Sequence, residues 1–343
     1  MLHNLRKRIS RRAAAVAAAA LISGAATGAA SAAEWTGTVG AQASDLTHTA
    51  LAFLPNEFWI HAGDTIRFHF VTAELHTVSF LKPGQTRPPA FSNFGINGGV
   101  FIGCPGTNPD GSSVTNAACV TSDIGVAGRS YSVSFPNAGN FKLVCLVHVR
   151  MTGAIHVLPP SETLPHDQAF YDREAGAERT GLLSEANALN ADGNAETVET
   201  SPNAVTAGLA VIRSNGGGSQ TVALMRFFGE KTFVRVGDTV EWTNRATPVA
   251  HTVTFGTEPF NDMPPSPGVT LDEDGARHAV LSSPNESVNS GFIGVLGQET
   301  IGAPEAPLDI TRFRVTFTAP GVFNYVCALH DDLGMKGTVI VRP

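Results

Sequence analysis

Residues 323–335 read FNYVCALHDDLGM. Phe323, Tyr325 and Cys327 alternate with other residues, His330 follows the cysteine by three positions, and Met335 follows the histidine by five. A period of two predicts a β-strand whose buried face ends on the cysteine. Thiolate, imidazole and thioether form a soft donor set that suits copper, whereas structural zinc sites show more Cys or His at closed tetrahedral spacing. The stretch 141–151, FKLVCLVHVRM, repeats the pattern, with Phe141, Leu143 and Cys145 on one face and His148 and Met151 beyond them.

The echo extends along the whole chain. Gly63-Asp64-Thr65 recurs as Gly237-Asp238-Thr239, and His76-Thr77-Val78 recurs as His251-Thr252-Val253. The stretch 99–103 (GVFIG) resembles 290–294 (SGFIG), and Gly139, Phe141 and Cys145 recur as Gly321, Phe323 and Cys327. A shared order of elements predicts two copies of one β-rich unit. Within each copy the apolar residues alternate. Ile66, Phe68 and Phe70 are separated by Arg67 and His69, and Val240 and Trp242 by Glu241. His76 with Val78 and Phe80, and His251 with Val253 and Phe255, are expected to face the core of a sandwich. Each copy thus offers four donors: His76, Cys145, His148 and Met151 in the first, His251, Cys327, His330 and Met335 in the second. Two His, one Cys and a weak axial Met make the ligand set of a type 1 electron-transfer copper.

These motifs resemble the cupredoxins, the plastocyanin, azurin and amicyanin family. The spacing Cys327-x2-His330-x4-Met335 is plastocyanin-like, and the shorter Cys145-x2-His148-x2-Met151 is amicyanin-like. The resemblance implies an all-β fold of two tandem Greek-key β-sandwich domains, each with a type 1 copper at one end. The expected order is a leader over 1–32, domain 1 over 33–159, a linker with a short amphipathic helix over 160–206, and domain 2 over 207–343. The sequence departs from the family in its long His-to-Cys separations and in Thr77 and Thr252, where many relatives carry Asn. A short polar side chain there can still support hydrogen bonds around the thiolate.

The leader has a basic head, an Ala-rich run and a small-residue site at Ala30-Ser31-Ala32, which predicts export. Ser10-Arg11-Arg12 also resembles a twin-arginine signal, and both export routes fit. Cleavage after residue 32 would leave 18 Lys+Arg against 30 Asp+Glu, a formal charge of −12. That excess argues against nucleic acid and anionic membranes and favours a protein redox partner with a basic surface. In an exported chain Cys104 and Cys119 are expected to form a disulfide, two further metal thiolates being the alternative. In the linker, Tyr171, Ala175, Leu182, Ala186 and Leu189 recur at helical spacing, with Gly176 and Gly181 as interruptions. The polar tract 190–203 is expected to be exposed coil. His48, His61, His69, His156, His166 and His278 stand apart from the two donor sets and are read as surface residues.

The function expected is electron carriage by two copper ions, with electrons entering at exposed edges of His148 and His330 and no reaction catalysed. A two-domain multicopper oxidase or nitrite-reductase-like enzyme needs further copper held by His-x-His pairs or by a His next to the type 1 Cys. The sequence has neither. Copper storage or delivery is a third reading, weakened by only five Met and no Met or His cluster. Oligomer formation is left open.

Overall fold

The computed structural model describes residues 32–343 apart from 86, 88–103, 105–109, 200–201, 247–248, 260–264 and 295–309. The expected leader, except Ala32, and the repeat segment 99–103 therefore lie outside the described residues. The fold is all-β with one long helix, and the two repeats share a single sheet. Strand His48–Leu54 of the first repeat pairs antiparallel with Gly218–Phe228 of the second, from Leu51 opposite Thr221 to His48 opposite Leu224. This seam fuses the two inner sheets into eleven strands. Each half is closed into a sandwich by its own five-stranded sheet. In the first that sheet runs Glu57–His61, Thr152–Leu158, Gly139–Val144, Ser79–Phe80, Val120–Thr121. In the second, Lys231–Arg235, Lys336–Arg342, Gly321–Val326, Thr254–Phe255 and Val288–Asn289 repeat the order.

The period-two reading holds in the longer strands. Ile66, Phe68 and Phe70 are buried while Arg67 and His69 are half-buried, and Val240 and Trp242 are fully buried. Phe141, Leu143 and Cys145 are buried beside an exposed Lys142, as are Phe323, Tyr325 and Cys327 beside Asn324. Around the first histidine of each set the alternation does not separate inside from outside. His76, Thr77, Val78, Ser79 and Phe80 are all buried, and the regular strand is only Ser79–Phe80. Burial on both faces is possible because the hydroxyls are paired: Ser79 Oγ lies 2.9 Å from Thr77 Oγ1 and 2.7 Å from Thr121 Oγ1.

The expected short helix runs for 32 residues, Gln168–Glu199, taking in most of the tract expected as coil. Gly176 and Gly181 sit inside it facing open space, so they cost helix propensity but disturb no contact. The predicted apolar stripe is the packing face. Leu182 and Ala186 join a core with Ala41, Ala50, Ala52 and Leu54 of the first repeat and Leu209, Val222, Leu224 and Phe228 of the second. The helix therefore straddles the seam between repeats and packs on both of them. Gly193 is needed for this approach, since a Cβ there would fall 2.5 Å from Leu209.

Tyr171 anchors the start of the helix on the edge strand Glu57–His61. Its hydroxyl donates to the Trp59 carbonyl at 2.9 Å and accepts from the Trp59 N–H at 2.8 Å, capping backbone groups that no neighbouring strand pairs. Tyr171→Phe leaves that N–H and C=O unpaired and is expected to cost about 1–3 kcal/mol in urea unfolding, with the fold retained. A loss within error of zero would show that water replaces the hydroxyl freely. Cys104 and Cys119 form a disulfide, leaving Cys145 and Cys327 as buried free thiols.

Candidate metal centres

Both donor sets assemble at one end of their sandwiches. In the first, His76 forms a β-bridge with Gly125, while Cys145 and His148 follow strand Gly139–Val144. In the second, His251 bridges Ile293, and Cys327 and His330 follow Gly321–Val326. The loop after each cysteine is tied back by its own backbone. Cys145 N–H donates to Met151 O and Cys327 N–H to Met335 O, both at 3.0 Å, which returns each methionine to the cysteine's side. Met151 and Met335 are fully buried.

The three stronger donors in each set form a triangle. His76 Nδ1 and His148 Nδ1 are 3.2 Å apart and lie 4.0 and 3.7 Å from Cys145 Sγ. His251 Nδ1 and His330 Nδ1 are 3.1 Å apart and lie 3.8 and 3.4 Å from Cys327 Sγ. The point equidistant from the three atoms lies about 2.1 Å from each in the first triangle and about 2.0 Å in the second, close to ordinary metal–nitrogen and metal–sulfur bond lengths. The size, burial and softness of both triangles fit a copper ion.

Each thiolate is supported from behind. The Thr77 N–H donates to Cys145 Sγ at 3.4 Å, and the Thr252 N–H donates to Cys327 Sγ at 3.3 Å. The same threonines accept through Oγ1 from Leu146 N–H and Ala328 N–H, at 2.7 and 2.8 Å. Threonine thus ties the His strand to the Cys loop in both repeats. Burial pushes both thiols up, but the histidines outweigh it and hold Cys145 and Cys327 well below the ordinary thiol value. Burial alone would lower His148 and His330. Their contacts with the thiolates and with Glu74 instead raise them, to about 9 and about 10.

Three residues of the site escaped the sequence reading. The first is Glu74, 5% exposed, whose Oε1 lies 3.3 Å from His148 Nε2 and whose Oε2 lies 3.4 Å from His330 Nε2. Burial pushes its carboxyl up, and the two histidines outweigh burial and hold it well below the usual range. His148 and His330 are consequently 4% and 3% exposed. The exposed edges expected for electron entry are absent, because the two histidines face a shared carboxylate inside the protein. The other two residues are Gly40 and Gly208, at β-bulges of the first strand of each repeat, with φ of 78° and 73°. A Cβ on Gly40 would lie 2.9 Å from His76 Nε2, and one on Gly208 would lie 2.2 Å from His251 Nε2. Their signal was present as Thr38-Val-Gly40 and Thr206-Ala-Gly208, one more repeated pair.

The remaining histidines stay outside both triangles. His69 Nδ1 meets Ser130 Oγ, His278 lies between Asp272 and Thr316, and His156 meets Asn140 and Glu57. His48 departs from the surface reading: it is 7% exposed on the seam strand and pairs with Asp45.

A family model described as copper binding proteins, plastocyanin/azurin family, matches residues 41–158 and 215–342. Among solved structures, a reduced amicyanin mutant (P94F) is 18% identical over 36% of this chain and 82% of its own, with a TM-score of 0.23. Oxidized plastocyanin from Dryopteris crassirhizoma is 18% identical over 40% and 99%, with a TM-score of 0.21. Auracyanin B is 19% identical over 37% and 90%, with a TM-score of 0.26. A search of curated proteins finds no match.

Proposed function

The chain belongs to the plastocyanin/azurin family of copper binding proteins, and from that premise we propose that it is an exported electron carrier with two type 1 copper centres. The observation that carries this reading is the pair of matching His-Cys-His triangles, one in each repeat. His76, Cys145 and His148 would hold one ion, with Met151 beside them, and His251, Cys327 and His330 the other, with Met335. Copper bound there supplies a one-electron couple. The residues around it hold their geometry: each cysteine and histidine is buried, each thiolate accepts a backbone N–H, and each threonine locks strand to loop. A rigid donor set changes little between oxidation states, which favours fast electron transfer over substrate chemistry.

Carriage is favoured over catalysis because the sequence lacks the His-x-His pairs, and the His adjacent to Cys145 or Cys327, that coupling to further copper requires. The basic-headed leader supports export, and among the described residues no helix is long and apolar enough to cross a membrane. A redox partner with a basic surface is favoured by the acidic excess of the chain and by Asp331 and Asp332 in the second metal loop. Burial and those two carboxylates push up the nearby Glu258 carboxyl, as expected where acidic charge gathers. Copper titration of the purified protein is expected to saturate at two ions per chain and to develop an intense blue thiolate-to-copper band. A colourless Cu(II) complex, or saturation below one ion, would overturn the reading.

A further inference from the structure

Among the described residues, Glu74 is the one acidic side chain that meets both triangles. It comes from the first repeat, two residues before His76. The corresponding residue of the second repeat, two before His251, is Val249, buried and with a side chain that offers no acceptor. The repeats are therefore unequal at this position, and one carboxylate serves two centres. Each oxygen takes the outward nitrogen of one ligand imidazole, Oε1 with His148 and Oε2 with His330. Leu333 of the second loop belongs to the same buried apolar cluster as Leu146 and Val147 of the first.

We propose that Glu74 couples the two metal centres into one two-electron unit, its carboxylate completing a His148–Glu74–His330 bridge for internal electron exchange. This rests on the two-copper reading above. A hydrogen bond to the outer nitrogen of a ligand histidine raises the basicity of the ligating one, and a buried charge acts strongly at short range. Because the carboxylate is shared, a change in charge at one centre alters the hold that Glu74 has on the other. The exchange is balanced: one centre loses one electron, the other gains it, and no bond or proton moves. External electrons enter at one centre and leave from the other, or both centres fill in turn from a one-electron donor.

The test uses the full-length copper-loaded protein with Glu74→Gln and Glu74→Leu. Copper content and the blue band are recorded first, then the midpoint potential of each centre, then the intersite exchange rate after one electron is injected by a radiolytic pulse. Glu74→Leu is expected to raise both potentials and to slow exchange at least tenfold. Glu74→Gln keeps one acceptor oxygen, so it is expected to spare one histidine contact and lie between the two. Unchanged exchange in Glu74→Leu, or a potential shift confined to one centre, would overturn the proposal.

A second measurement leaves Glu74 in place, should those variants fail to fold. In Cys327→Ser, Cu(I) is added and the imidazole nitrogens are followed by NMR. Movement of His76 and His148 reports filling of the first centre, and movement of His330 as well is the expected result. If His76 and His148 move while His330 stays fixed, the coupling is wrong. If none of the three moves, the copper reading itself has failed.

Discussion

Cys145→Ser is expected to bind one copper per chain and to keep a blue band, and Cys327→Ser to do the same from the other side. The double variant is expected to bind none tightly and to be colourless. Each triangle is built wholly within one repeat, so removing a thiolate from one leaves the other's donors in place. Serine's hydroxyl stays protonated where the cysteine is held as an anion by its histidines. The ion thus loses its only anionic donor in that triangle and the orbital partner of the blue transition. The affinity loss is expected to exceed the 10–100-fold that follows from removing outer hydrogen-bond partners alone. Copper analysis with optical and paramagnetic-resonance spectra reads the outcome. Two blue centres surviving in Cys145→Ser would mean that the first triangle is not a copper site.

Gly208→Ala is expected to damage the fold and the second centre together. At φ 73° a side chain pays for left-handed backbone, about 1–2 kcal/mol. The new methyl would also sit 2.2 Å from His251 Nε2 and 2.9 Å from Ala246 Cβ, in a fully buried place. Overpacking of that kind costs about 1–3 kcal/mol more. A total loss of roughly 2–5 kcal/mol in urea unfolding follows, with copper content falling toward one per chain because His251 must rotate or shift. Gly40→Ala meets the Thr72 side chain at 2.6 Å and His76 only at 2.9 Å, so the milder loss of copper is expected at the first centre. Full copper content and an unchanged unfolding midpoint in Gly208→Ala would show that the bulge glycines do not shape the sites.

Much of this was legible in the chain because it depends on local spacing. A strand turns every second residue to one face, so Phe323, Tyr325 and Cys327 had to share a side, and a three-residue step to His330 is one short turn of loop. Repetition in register then separated a candidate metal set from incidental core residues. The helix was legible in its face, Tyr171 to Leu189, but not in its length. Gly176 and Gly181 lower intrinsic propensity, and packing across the seam outweighs that.

What the sequence determined by itself is the content of each half: the repeated strands, the two candidate sets of four donors, and the apolar stripe of the helix. These follow from periodicity and donor chemistry, which act within tens of residues. Only the tertiary structure decided how the halves meet. The pairing of His48–Leu54 with Gly218–Phe228 turns two sandwiches into one sheet and brings the metal ends together. That encounter buries His148 and His330 and recruits Glu74, a residue whose counterpart in the second repeat is Val249. No period or motif encodes such a contact, because it joins positions 256 residues apart through the docking of one half on the other.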